Sequence, residues 1–384
     1  MKKTVKIQIA STDQCTGCSA CVSVCPTGSI SMKEDIEGFL QPHIETKTCI
    51  GCHKCEKTCP IITPIKIPTN YETQAYAAIN NDEDVRMRSS SGGLFHALAK
   101  WTIEKGGVVF GACFNENWEV IHDYTETLEG IDPFMRSKYV QSRIGDTFKQ
   151  AKQFLEGGRQ VLFVGTPCQI GGLKAYLNKE YENLLAVDFI CHGVPSPKVW
   201  REYLKEITKG DLLVDFNFRD KQNGWLDFQC VSTTSTAILR EKQMENTYFR
   251  GFLKDIYQRV SCYNCQFKSV HRTSDLTIAD AWGIQNYCPQ MHDNKGTSLF
   301  LIHSLNAANI LKECPIIESE RVELEQPIHY NPSLIRSVSK PKYKRKYFFT
   351  LLNMFNFKIA SYYIDKDPII IRTIRKIKRK LHLF

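Results

Sequence analysis

The chain has 384 residues, too many for one small core, which predicts two or three folded units. Its 42% hydrophobic and 24% charged residues are ordinary for a soluble protein, and no run of about 18 apolar residues is there to span a bilayer. The net charge of +9 is uneven: from Lys340 onward 13 Lys/Arg face 2 Asp/Glu, so the first 339 residues carry −2 and a basic body is excluded.

The N-terminus, "MKKTVKIQIAST", has a basic start but only a few alternating apolar residues. It predicts a first strand rather than a signal peptide, and so a cytoplasmic protein. Sixteen cysteines in a reducing compartment point to metal rather than disulfides.

"CTGCSACVSVCP" supplies Cys15, Cys18, Cys21 and Cys25. "CIGCHKCEKTCP" repeats it with Cys49, Cys52, Cys55 and Cys59, offset by 34 residues. Each copy is C-x2-C-x2-C-x3-C-P, in which three thiolates hold one cubane and the fourth crosses to the other. One [4Fe-4S] cluster is therefore expected on Cys15, Cys18, Cys21 and Cys59. The second is expected on Cys49, Cys52, Cys55 and Cys25. Zinc, which takes paired C-x2-C hooks, is the alternative, and two intact copies of the cubane pattern weigh against it. The segment resembles a bacterial two-cluster ferredoxin over its whole length. Such a module moves single electrons and needs a donor or acceptor downstream.

"PIITPIKIPTNYE" has the prolines of a surface linker. A strand in "YAAINND" precedes the cluster Ser89, Ser90, Ser91, Gly92, Gly93, then a helix over 94–105 and a strand in "GGVVFGACF". A Ser/Gly cluster at a helix start can seat a phosphate or simply cap the helix. Helices are expected over 145–156, 169–178 and 198–207, alternating with strands in "QVLFVG" and "NLLAVDFICHG". This is an α/β pattern. The run 212–239 is strand-like and suggests an antiparallel excursion, and "SDLTIADAWGI" and "TSLFLIHS" read as later strands.

Cys168 and Cys191 end two successive strands. If those strands are parallel neighbours, both thiols reach one edge of the sheet. "SCYNCQF" adds Cys262 and Cys265, completing the four ligands of a cubane or a tetrahedral zinc. "GTPCQIG" is neither a P-loop nor a dinucleotide fingerprint.

"SSGGLF", "RSKYVQS", "GTPCQI", "ICHGVPSP", "CYNCQF" and "SDLTIADAWG", in this order over about residues 71–330, resemble the beta-subunit family of coenzyme F420 hydrogenases and dehydrogenases. The resemblance implies FAD and a third [4Fe-4S] cluster, with Cys168, Cys191, Cys262 and Cys265 as its ligands. It implies Ser91, Gly92, Gly93, Lys138 and Tyr139 as flavin contacts. Thr166 and Pro167 would shape the turn beside the cofactor, and Asp280 and Trp282 would line the same region or serve as buried structural residues.

The expected organisation is a ferredoxin domain over 1–67, followed by a flavin-binding α/β body. The body comprises the N-terminal part of the beta-subunit family over 68–150 and its C-terminal part, with the third cluster, over 151–338. A basic amphipathic tail follows over 339–384. His192 follows a ligand and is a candidate proton carrier, or a packed histidine. Cys288, before Pro289, is a possible substitute ligand. Cys113, Cys230 and Cys314 read as packed thiols. In the tail, Ile370, Ile374, Ile377 and Leu381 fall at helical spacing among Lys and Arg, which suits an anionic membrane surface, an acidic protein or packing on the body. No nucleic acid is expected.

Two functions fit. One is a flavin and iron–sulfur oxidoreductase drawing on a donor such as ferredoxin and passing hydride to a small organic substrate. The other is an electron-transfer subunit that feeds a separate enzyme.

Overall fold

The structure is a computed structural model that describes residues 7–67, 71–314 and 317–366. The expected first strand does not form over the described part of the N-terminus, since residues 7–11 are irregular. The apolar positions in the tail, from Ile370 to Leu381, lie outside the described residues.

The cysteine repeat folds as a repeat. Each copy places a non-glycine residue in the left-handed region, Ser19 (φ 64°) and His53 (φ 55°), then one short helix, Ala20–Val24 and Lys54–Thr58. Each helix ends on an extended cysteine, Cys25 and Cys59. The two helices pack together. Between them runs a hairpin of β1 (Ile30–Glu34) and β2 (Leu40–Ile44), paired antiparallel from Ile30↔Ile44.

The body is a mixed α/β fold built on an eight-stranded sheet. Its strands are β3 (Gln74–Asn80), β4 (Val108–Phe114), β5 (Val120–Thr125), β6 (Val161–Val164), β7 (Leu184–Phe189), β11 (Leu276–Asp280), β12 (Ser298–Ile302) and β13 (Ile317–Val322). They run in the order β13-β3-β12-β11-β7-β6-β4-β5. β4, β6, β7 and β11 are parallel neighbours, and the outer strands are antiparallel. The central strands read as near-continuous apolar runs because helices cover both faces. Leu94–Glu104 packs with Leu162, Leu185 and Val187. Thr147–Glu156 and Pro167–Leu177 pack with Phe110, Phe163 and Ala186.

The antiparallel excursion is a separate sheet of β8 (Leu213–Asp220), β9 (Gln229–Thr234) and β10 (Ile238–Lys242). Its inner face joins Trp200, Tyr248 and Phe252 in an aromatic core. The basic segment before residue 360 packs there as well: helix Lys344–Met354 buries Phe348, Phe349 and Leu352 in that core. Among the described residues no helix is long and apolar enough to cross a membrane.

The dicluster segment is seated on the body. Cys18 and Ala20 belong to the same apolar cluster as Ile170 and Leu173.

Candidate functional site: four thiols beside a large cavity

The stretch "GTPCQI" explains its own geometry. Thr166 caps the helix Pro167–Leu177 and Pro167 takes its first position, where a missing N–H costs nothing. The Gln169 backbone N–H donates to Thr166 Oγ1 at 3.4 Å, and Thr166 N–H donates to Gln169 Oε1 at 2.9 Å, a capping box. Cys168 therefore stands at the helix mouth with its Sγ 3.1 Å from Thr166 Oγ1.

β6 and β7 are adjacent and parallel, in register Val161↔Leu184 through Val164↔Val187. Cys168 and Cys191 consequently emerge at one edge of the sheet. The short helical turn Val260–Asn264 brings Cys262, and Cys265 follows it. All four thiols line one small pocket. Burial pushes the Cys191 and Cys262 thiols up to about 12 and Cys168 further up still. Thiols so placed are protonated at neutral pH, and a metal bound there would displace those protons. Among the described residues no three His, Cys, Asp or Glu converge on one metal-ion position. The four thiols line one pocket instead.

Three cations border this pocket: Arg259, Lys268 and Arg272. Arg272 pairs with buried Asp188 at 3.3 Å, and Lys268 donates to the carbonyls of Cys191 and Ser333.

A second pocket, in the dicluster segment, is lined by Cys15, Cys18, Cys21 and Cys59, the set expected for one cluster, and also by Cys55 of the other set. Of the other set, Cys52 is exposed, whereas Cys25, Cys49 and Cys55 are half-buried.

Against the four-thiol pocket lies a cavity of about 630 Å³, within the range of small-molecule sites. Cys191, His192, Gly193 and Val194 form a wall common to both. Of the nine residues expected at or beside the cofactor, Ser91, Gly93, Lys138, Tyr139, Thr166, Asp280 and Trp282 line this cavity. Gly92 and Pro167 do not. A Cβ on Gly92 would run into Ala78 O and Ser298 N, so that glycine lets its loop lie against β3 and β12. Pro167 faces the thiol pocket instead.

The Ser/Gly loop is fixed from below. Lys221 Nζ donates to the carbonyls of Arg86 (2.6 Å), Ser91 (2.8 Å) and Lys295 (2.6 Å), and Ser91 Oγ donates to Thr297 O at 2.7 Å. Burial lowers Lys221 to about 7. Lys138, inside the cavity, is likewise lowered to about 7 by desolvation. His192 is held at Nε2 by Asp255 Oδ1 (2.8 Å) and at Nδ1 by Ser333 Oγ (3.4 Å), with its ring against Phe252.

Two lining residues had escaped the sequence. His122 on β5 contacts Val164 O through Nε2 at 3.0 Å. A carbonyl only accepts, so Nε2 carries the hydrogen and Nδ1 is a bare acceptor without a partner among the described residues. Desolvation drops this imidazole to about 4, so it is neutral. Arg219 on β8 donates to Asp280 Oδ2 at 2.5 Å and lies over Phe228 and Trp282. Its Nε and Nη2, and Asp280 Oδ1, are buried without partners among the described residues. In "VIHDY" the alternation that turns His122 inward was legible. Arg219 gave no signal, since it arrives from a sheet far along the chain.

Cys288 lies away from both thiol pockets, in an apolar cluster with Trp225 and Met291. Cys113, Cys230 and Cys314 are buried, as expected.

Residues 158–329 match the family described as the C terminus of the coenzyme F420 hydrogenase/dehydrogenase beta subunit, and residues 14–61 match the 4Fe-4S dicluster domain. Residues 158–329 thus carry the C-terminal part of this beta-subunit family, behind a dicluster domain. The chain is therefore an iron–sulfur protein with a redox role. Among solved structures, one similar chain comes from the F420-reducing [NiFe] hydrogenase complex of Methanosarcina barkeri. That match has 15% identity and a TM-score of 0.45, and covers 79% of this chain and 92% of that one. No curated protein matches.

Proposed function

We propose that the chain is an oxidoreductase holding three [4Fe-4S] clusters and FAD, which takes electrons from a ferredoxin-like donor and delivers hydride to an organic substrate. The observation that carries this reading is the wall shared by the four-thiol pocket and the large cavity, residues 191–194. When bound, a flavin exchanges hydride with organic molecules and single electrons with iron–sulfur clusters, so it needs a cluster as neighbour.

The residues present fit these groups. Cys168, Cys191, Cys262 and Cys265 would hold the third cluster, with Cys191 facing both sites. The two N-terminal clusters would take the ligand sets read from the repeat. Ser91, Gly93, Lys138, Tyr139 and Thr166 would contact the flavin. The unpartnered acceptor at His122 Nδ1 and donors at Arg219 Nε and Nη2 are what a polar heteroaromatic ring would satisfy. Trp282, stacked flat on Trp225 at 4.8 Å, gives the cavity a rigid aromatic side. His192, fixed at both nitrogens between the two sites, is placed to orient the shared wall or to move a proton.

A second reading is an electron-transfer subunit without a substrate of its own. The family description, which names a beta subunit, favours it. The isolated, reconstituted chain decides. With dithionite or reduced ferredoxin it should turn over an organic hydride acceptor such as a deazaflavin or a quinone. Reduction of bound flavin with no turnover of any acceptor would favour the carrier reading.

A further inference from the structure

We propose that Arg259 is a positioning residue that clamps the Cys15 loop to the body and raises the reduction potentials of the clusters on either side of it. The inference rests on the cluster reading above and extends it to a residue outside the ligand set.

Arg259 immediately precedes the turn that carries Cys262, and its side chain is fully buried. The guanidinium donates from Nε to Cys15 O (2.7 Å), from Nη1 to Gln141 Oε1 (3.0 Å), and from Nη2 to Leu40 O (2.9 Å) and Gln41 Oε1 (3.1 Å). Three of these acceptors belong to the dicluster segment and one to the body. Gln141 completes the clamp, because its Nε2 donates to Thr16 O at 3.0 Å. A planar fork with five donors can make this set of bonds, and a lysine cannot.

All four acceptors are neutral. Among the described residues no carboxylate pairs with Arg259, yet a guanidinium stays protonated and an isolated buried charge is costly. Arg272 on the same pocket differs, since buried Asp188 offsets it. The compensating charge for Arg259 has to come from what the cysteines hold. Arg259 lines the pocket of Cys168, Cys191, Cys262 and Cys265, and through Cys15 O it fixes the loop that presents the other set.

A cluster held by four thiolates is anionic, and one-electron reduction adds one more negative charge. A fixed cation in a water-poor seam between two such groups stabilises the reduced form of each. The set of Cys25, Cys49, Cys52 and Cys55 has no contact with this guanidinium and serves as an internal reference.

The test is a redox titration of the cluster-loaded full chain followed by EPR, with iron counted in parallel. In Arg259→Gln the midpoints of the two flanking clusters should fall while the reference cluster holds. In Arg259→Lys, which keeps the charge but not the fork, the midpoints should stay near wild type while thermal stability drops. Unchanged midpoints in a fully loaded Arg259→Gln, or an equal fall of all three, would overturn the proposal. Should Arg259→Gln lose its clusters, Arg259→Met takes its place: a fall confined to the two flanking clusters supports the proposal, and unchanged midpoints overturn it. A wild-type chain with only two clusters would refute the three-cluster reading, and the Cys15 cluster would still report on Arg259.

Discussion

Cys18 of the dicluster segment packs against Gly172, one helical turn beyond Cys168. A Cβ on Gly172 would stand 3.0 Å from both Cβ and Sγ of Cys18. Replacing a helix-interior glycine by alanine ordinarily gains up to about 1 kcal/mol. Here overpacking, worth about 1–3 kcal/mol, opposes that gain. Gly172→Ala should therefore lower the Tm and the iron retained by the dicluster segment. A raised Tm with full iron would mean that the seam has room to spare.

Asp280 neutralises Arg219, whose guanidinium is buried on the cavity wall. Removing one partner of such a pair typically costs about 3–5 kcal/mol; with Asp280 partly exposed, about 3 kcal/mol is expected for Asp280→Asn by chemical denaturation. Flavin co-purifying with the variant should fall with it. Adding Arg219→Met should restore much of the stability without restoring the flavin.

His122 fixes a pH dependence. Its folded pKa of about 4 lies below the ordinary value of 6.5, so the unfolded state binds the proton first as pH falls. The stability contributed by neutral His122 is complete above about pH 6.5 and drains away toward pH 4. At about 1.4 kcal/mol per unit, the loss reaches about 3 kcal/mol. His303, lowered to about 3 by burial, adds to the same trend. Stability measured from pH 7 to pH 4 should decline less steeply in His122→Gln than in wild type. Parallel curves would show that His122 is accessible to protons in the folded chain.

The parts of the site that follow from local chemistry were legible in the sequence. The cysteine repeat, the strand-to-helix turn at Thr166–Gln169 and the strand ending before Cys191 are each coded within a dozen residues. Parallel pairing of β6 and β7 then follows from the α/β alternation. Helix ends also came within two residues, because Pro167 and Pro197 mark first-turn positions. Features made by long-range packing were not legible. Gly92 was read with its Ser/Gly cluster as a phosphate seat or a helix cap, and its missing side chain serves contact with β3 and β12. Arg219 and Arg259 look like surface arginines until distant segments enclose them.

Cys288 gives a sharp control for the ligand assignment. It packs among apolar side chains and faces neither thiol pocket. Cys288→Ala should leave the iron content unchanged and cost stability alone, whereas Cys191→Ala should lower the iron. Iron loss in Cys288→Ala would return that thiol to the ligand set.

The most direct measurement is the joint count of iron, acid-labile sulfide and released flavin in the chain purified anaerobically, beside Cys168→Ser. The account predicts about twelve irons and one FAD in the wild type, with about four irons lost in the variant. About eight irons without flavin in both proteins would contradict it. The thiol at the mouth of the helix Pro167–Leu177 would then be structural, and the dicluster segment would be the chain's sole redox site.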